Sequence, residues 1–222
     1  MVAAQLLCGW LLLLGLMLGV GSLLSRVERE SAVERVDARV PTWLAAQRTA
    51  ALDAVSGVAA ELGNTVVVLV LAVLASAVAG LVWRGWRPVA LIAVALAGEV
   101  TIFLTTAAVI DRERPSVPHL DEQLPPTSSF PSGHTAAAIC LYGTIAALVL
   151  AATHRRRRYA VAGGAALLVL VVAMSRLYRG AHYPTDVVGS LLFALPWLLL
   201  VVRLLTPGAP HSEPTAGSTR AG

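Results

Sequence analysis

Long apolar runs restrict this chain to a fold inside a lipid bilayer. Each run approaches the length of about 20 residues that an α-helix needs to cross the hydrocarbon core. The six runs lie at residues 4–24, 65–83, 88–110, 134–153, 159–174 and 187–205. The fifth run is short and is expected to extend into its flanks. The sequence therefore predicts an all-α integral membrane protein, a bundle of six transmembrane helices.

The composition supports a membrane protein and excludes several other classes. Hydrophobic residues make up 57% of the chain and charged residues 14%, which is typical of a membrane protein. The net charge of +4 predicts no nucleic-acid partner, because the arginines lie at the ends of runs and in motifs. Cys8 and Cys140 lie inside apolar runs and are interpreted as small core residues. No cluster has metal-ligand spacing, so no metal or other cofactor is predicted.

The arginines between the runs predict how the bundle is inserted. Short arginine-rich loops stay in the cytoplasm. The relevant side chains are Arg84, Arg87, Arg155, Arg156, Arg157, Arg158 and Arg203. A six-span count places all of them on one side, so both termini are predicted to be cytoplasmic. In the cell membrane, residues 25–64, 111–133 and 175–186 would then face the extracytoplasmic side.

Two segments outside the runs have their own composition. Residues 25–64 mix charges of both signs with apolar side chains. Pro41 divides this segment, so one or two amphipathic helices are predicted on the outer surface or across the bundle mouth. Residues 206–222 are rich in Pro, Gly, Ser and Thr and are predicted to form a disordered cytoplasmic tail. We therefore expect a single membrane domain over residues 1–205.

One outward loop concentrates reactive side chains. Residues 175–186 read S-R-L-Y-R-G-A-H-Y-P-T-D. Arg176 is permanently charged and suits a phosphate oxygen. His182 and Asp186 are four residues apart, a spacing that brings side chains together on one helix face. A carboxylate bound to one ring nitrogen fixes the histidine tautomer and leaves the other nitrogen free to attack.

The other outward loops carry further groups that suit a phosphate. Residues 131–134 read P-S-G-H directly before the fourth run. Proline and serine there mark a helix start, Gly133 lets the backbone approach closely, and the free amides of a helix start bind anions. His134 would stand beside the bound anion and pass a proton. Arg112 and Arg114 lie in the preceding loop.

These motifs resemble those of the type 2 phosphatidic acid phosphatase superfamily, whose signature is K-x6-R-P, P-S-G-H and S-R-x5-H-x3-D. The last two match in full, at Pro131, Ser132, Gly133 and His134 and at Ser175, Arg176, His182 and Asp186. The first matches at Arg114 and Pro115, whereas Ala107 stands at the lysine position. The resemblance covers residues 37–205 and implies a six-span membrane phosphatase.

The resemblance also implies a role for each matching residue. His182 is the nucleophile that forms a phosphohistidine, and Asp186 orients it. His134 protonates the leaving oxygen and then activates water. Four further matched residues hold the phosphoryl oxygens; they are Arg114, Ser132, Gly133 and Arg176.

Two positions, Arg112 and Glu99, each have two possible interpretations. Because the family lysine is missing at Ala107, Arg112 either takes over a phosphate contact or is an ordinary loop charge. Glu99 is the only acidic residue deep within an apolar run. Such a carboxylate either has a function or bonds a neighbouring helix, and we do not include it in the predicted site.

The expected function is metal-independent hydrolysis of a phosphate monoester or pyrophosphate on a membrane lipid. Candidate substrates are an isoprenoid pyrophosphate, phosphatidic acid and phosphatidylglycerol phosphate. One alternative is a lipid phosphotransferase. Another is a non-catalytic lipid-binding or transport protein, which the retained His134, His182 and Asp186 disfavour.

Overall fold

The computed structural model describes residues 1–26, 31–121, 124, 128–153 and 155–206. The described residues form eight α-helices. In chain order these are α1 (Val2–Leu24), α2 (Ala32–Ala46), α3 (Ala50–Glu61), α4 (Thr65–Trp83), α5 (Arg87–Val109), α6 (Gly133–Ala152), α7 (Arg157–Tyr178) and α8 (Pro184–Leu205). Most of the predicted tail, residues 207–222, lies outside the described part of the chain.

Six of these helices are long and apolar enough to cross a membrane: α1, α4, α5, α6, α7 and α8. The predicted six-span all-α bundle is therefore confirmed. The fifth span does extend into its flanks, since α7 runs from Arg157 to Tyr178. Helices α1 and α4 leave many leucine and valine side chains exposed, as expected for helices whose outer face meets lipid.

The predicted amphipathic segment contains two helices, but its break is not at Pro41. Pro41 lies inside α2 and is buried. The chain breaks instead after Ala46, and Thr49 starts α3 by accepting a hydrogen bond from the Leu52 amide. Proline removes one helical hydrogen bond, and here contacts between α2 and the rest of the bundle outweigh that loss.

Helix α6 lies at the centre of the bundle and packs against α4, α5, α7 and α8. Small residues let the helices approach closely, which is the usual basis of packing within a membrane. A side chain at Gly98 of α5 would meet the Trp197 ring of α8 at 2.0 Å. Trp197 in turn donates a hydrogen bond to the Ala95 carbonyl at 2.9 Å. This close packing sets the positions of the helix ends that carry the sequence motifs.

Candidate active site

The three motif loops meet at one end of the bundle. The chain leaves α5 and α7 there, and it enters α6 and α8 there. Backbone hydrogen bonds join the loops. The Ser132 amide donates to the Asp186 carbonyl at 3.2 Å, and the Ser129 amide donates to the Arg112 carbonyl at 2.9 Å. The Leu120 amide donates to the Arg179 carbonyl at 3.1 Å. Residues distant in the chain are thereby held together around one site.

His182 lies buried just before α8. Its Nδ1 lies 2.7 Å from the Ser129 carbonyl oxygen and 3.5 Å from Asp186 Oδ2. A carbonyl oxygen can only accept, so Nδ1 carries the proton of the neutral ring and the lone pair of Nε2 stays available. The sequence predicted that Asp186 sets this tautomer. In the structure the Ser129 carbonyl is closer to Nδ1 than the Asp186 carboxylate is. The sequence could not predict this contact, because every residue has a backbone carbonyl.

Asp186 is fully buried in the first turn of α8. Its Oδ2 accepts a hydrogen bond from the Tyr183 amide at 2.8 Å, which caps the helix. Its Oδ1 forms a short ion pair with Arg112. A carboxylate at a helix start also favours the positive end of the helix dipole. Asp186 therefore joins the start of α8 to the loop that follows α5.

Arg112 is held between two carboxylates. Its guanidinium contacts Asp186 and, at 2.6 Å, Asp37 Oδ2; it also donates to Thr185 Oγ1 at 2.8 Å. The Tyr183 ring lies 4.6 Å from the guanidinium carbon. Burial by itself would lower the pKa of Arg112, but Asp186 and Asp37 outweigh burial and raise it. Arg112 thus contacts Asp186, the carboxylate that also lies beside His182. The contact of Arg112 with phosphate stays a prediction.

Asp37 of α2 completes this buried cluster, and sequence reasoning missed it. It is fully buried and accepts from the Thr185 amide at 3.1 Å and from Thr185 Oγ1 at 2.5 Å, besides its pair with Arg112. It belongs to no motif, because it lies in the amphipathic segment, outside the three signature motifs. Only its burial indicates a structural role, since a buried carboxylate requires partners.

A cavity of about 1440 Å³ opens beside His182. Its lining includes both histidines of the predicted site, two of its arginines and its glycine: His134, His182, Arg114, Arg176 and Gly133. The structure thus brings these predicted residues together around one space. Ser132 is buried beneath the start of α6, where its hydroxyl lies 3.0 Å from Thr135 Oγ1.

The polar end of the cavity already holds an anionic side chain. Asp121 Oδ2 lies 2.9 Å from Arg176, a close ion pair rather than an aligned hydrogen bond. Asp121 Oδ1 accepts from Arg179 Nε at 2.6 Å. Burial would raise the pKa of Asp121, but the two arginines outweigh burial and lower it. Sequence reasoning did not single out Asp121, because nothing marks one acidic loop residue among several.

Arg114 faces the same space. It donates a hydrogen bond to the Ala181 carbonyl at 2.8 Å, directly before His182. Burial and the neighbouring charge of Arg176 lower the pKa of Arg114, yet a guanidinium stays protonated throughout the physiological range. The cavity therefore has a cationic end that can hold an anion next to two imidazoles.

Paired histidines and arginines around one cavity of a helical membrane bundle suit the binding and transfer of a phosphoryl group. Residues 61–207, which are 147 of the 222 residues, match the family described as the PAP2 superfamily. The chain belongs to this superfamily, is a multi-pass membrane protein, and is a phosphatase. The predicted family is confirmed.

A solved structure supports the same assignment. The chain is similar to a transmembrane PAP2-type phosphatidylglycerolphosphate phosphatase from Bacillus subtilis. The TM-score is 0.74 at 25% sequence identity, and the match covers 85% of this chain and 92% of that one. The search of curated proteins found no significant match.

We predict that Asp37→Asn lowers turnover without weakening substrate binding. The change leaves Arg112 with one carboxylate partner, so Asp186 and the start of α8 lose their support. Small displacements of catalytic groups cost roughly 10- to 100-fold in rate. We expect kcat for phosphate release from a lipid phosphate in detergent micelles to fall by such a factor, with KM little changed.

Glu34→Gln is the matched control. Glu34 is a carboxylate one turn earlier on α2. Its backbone amide donates a hydrogen bond to the hydroxyl of Ser31, the residue that caps α2, and its side chain has no hydrogen bond to Arg112 among the described residues. Its kcat should stay near that of the unmodified protein. Equal losses in both variants, or a loss confined to KM, would contradict a positioning role for Asp37.

Proposed function

We propose that this protein hydrolyses a phosphate monoester or pyrophosphate of a membrane lipid, without a metal, through a phosphohistidine. The observation that carries the proposal is the shared cavity: His134 and His182 line it together with Arg114 and Arg176. The family and the similar phosphatase support the reaction class.

In the first half of the reaction, Nε2 of neutral His182 attacks phosphorus. A P–N bond forms and the P–O bond to the lipid breaks. Protonated His134 gives its proton to the leaving oxygen, so that the lipid departs as an alcohol, or as a monophosphate if the substrate is a pyrophosphate. In the second half, neutral His134 takes a proton from water, the oxygen of that water attacks phosphorus, and the P–N bond breaks to release phosphate.

Cations and amides stabilise the charge that develops on the phosphoryl oxygens. Arg114 and Arg176 supply guanidinium groups, and the Gly133 amide supplies a donor at the start of α6. The predicted contact of Ser132 with phosphate stays a prediction, because its hydroxyl is buried against a threonine of α6. Removing one such donor costs about 3–4 kcal/mol in well-studied enzymes. The close pair between Arg176 and Asp121 supports this role, because Arg176 there already faces an anionic oxygen.

The shape of the cavity supports a lipid substrate. From the histidines it continues between α4 and α5, where its lining is mostly apolar and includes Val68, Ala72, Ile92 and Leu96. An acyl or prenyl chain suits such a groove, while the phosphate stays at the cationic end. The candidates are phosphatidylglycerol phosphate, which the Bacillus subtilis protein is named for, phosphatidic acid and an isoprenoid pyrophosphate.

We predict phosphate release from at least one of these three lipids. Purified protein would be assayed on each in mixed micelles, with and without a chelator. Release should be unaffected by the chelator, because the proposed mechanism uses imidazoles and arginines only. His182→Ala should lower the rate by several orders of magnitude, since it removes the nucleophile.

Two outcomes would contradict the proposal. One is the absence of release from all three lipids. The other is a rate that His182→Ala leaves unchanged. An added alcohol separates the phosphotransferase alternative: efficient capture of the phosphoryl group by the alcohol, in preference to water, would favour that activity.

The buried position of His182 predicts a shifted pH dependence. Burial lowers the pKa of His182, and the charges of Arg176 and Arg114 add to this effect, while Asp186 opposes it. The nucleophile must be neutral, so activity persists as the pH falls through about 6.5, the ordinary midpoint for histidine, and is lost only at lower pH. A profile of kcat/KM against pH tests this. An acidic limb centred at or above the ordinary midpoint would contradict it.

We propose that the protein lies in the cell membrane with this site on the extracytoplasmic side, as the arginine distribution indicates. In intact cells of a Cys8→Ser background, Ser116→Cys should react with a membrane-impermeant thiol reagent and Arg156→Cys should not. Both positions are exposed, and Cys140 is buried. The opposite labelling pattern would reverse the proposed orientation.

A further inference from the structure

Glu99 is a buried carboxyl group without an evident partner. It lies in the middle of α5 and is 3% exposed. Among the described residues no hydrogen bond or ion pair of its side chain is found. Buried polar side chains almost always have a hydrogen-bond partner, so each exception calls for an explanation. Glu99 lines the same cavity as the two histidines.

The surroundings of Glu99 are apolar. Its neighbours in the cavity lining include Ile92, Leu96 and Val100. Placing an ionised carboxylate in such surroundings, with no cation beside it, costs several kcal/mol, and the group takes up a proton instead. A protonated carboxyl is both a donor and an acceptor. The cavity wall therefore offers one hydrogen-bonding group within a hydrocarbon-like groove.

Glu99 lies about one helix turn deeper than the catalytic end of the cavity. Phe103 follows it by four residues, a rise of about 6 Å along the helix. The Phe103 ring lies directly against the start of α6, since a Cβ atom on Gly133 would be 2.8 Å from Phe103 Cζ. A lipid phosphate beside Gly133 and His134 thus has the Glu99 carboxyl below it, on the path of its hydrophobic chain.

We propose that the Glu99 carboxyl donates a hydrogen bond to an ester carbonyl of a lipid whose phosphate is bound directly to diacylglycerol, as in phosphatidic acid, and so selects such lipids over isoprenoid pyrophosphates. This inference rests on the proposed function and specifies its substrate class. In phosphatidic acid only the glycerol backbone separates the hydrolysed phosphate from the acyl carbonyls, a separation comparable to one helix turn. An isoprenoid chain presents only hydrocarbon there and leaves the carboxyl unpaired, which is unfavourable.

The test compares two substrates that differ only at the carbonyl. Phosphatidic acid with ester-linked chains is compared with its ether-linked analogue of equal chain length, which lacks both carbonyl oxygens. One neutral hydrogen bond contributes about a five- to tenfold difference in kcat/KM. We expect the unmodified protein to prefer the ester lipid by this factor, and to prefer it over an isoprenoid pyrophosphate as well.

Variants then assign the preference to Glu99. Glu99→Gln keeps a donor of similar shape and should retain the ester-to-ether ratio. Glu99→Leu removes the donor and should bring that ratio close to one. Thr101→Val is the matched control, because Thr101 lies on α5 outside the cavity lining and bonds Trp10 of α1 at 2.9 Å. Its ratio should equal that of the unmodified protein.

Three outcomes overturn the inference. Equal kcat/KM for ester and ether lipids in the unmodified protein does so without any variant, so misfolding of Glu99→Leu cannot obscure the result. An equal loss on both lipids in Glu99→Leu indicates a structural role only. Phosphate release from the isoprenoid pyrophosphate alone contradicts the selectivity and leaves the proposed phosphatase function intact. If the proposed phosphatase function itself were wrong, no phosphate would be released from any of the lipids.

Discussion

The geometry of this site depends on the contacts of one buried carboxylate, that of Asp186. It caps α8 through the Tyr183 amide, pairs with Arg112 and stands beside His182. A buried charge is tolerated only with good partners, so Asp186 requires Arg112, and Arg112 in turn binds Asp37 of α2. One carboxylate thereby links His182, the start of α8, the loop after α5 and a helix outside the spans.

The bilayer explains why the charged chemistry lies at one end of the bundle. Hydrocarbon excludes unpaired charges and unsatisfied backbone groups, so loops and ion pairs gather where the helices end. Glu99 departs from this pattern, and it lines the cavity that joins the polar end to the apolar groove. A substrate with a charged head and a hydrophobic tail needs this combination of environments.

Sequence reasoning succeeded where a local pattern has one physical meaning. A run of apolar residues of membrane length has few alternatives to a span, and all six predicted spans are present. It failed at Pro41, which was expected to break a helix and lies inside α2. It also missed Asp37 and the Ser129 carbonyl beside His182. These contacts join residues far apart in the chain, and no spacing rule describes them.

The amino-acid sequence by itself determined the membrane class, the number of spans and the superfamily, and it predicted the reactive side chains, because hydrophobic length and motif chemistry are local properties. Only the tertiary structure decided which partner each side chain has. It placed Arg112 between Asp37 and Asp186, Asp121 against Arg176, and Glu99 in the cavity wall. The physical reason is that burial and pairing depend on how helices pack, and packing is a property of the whole chain.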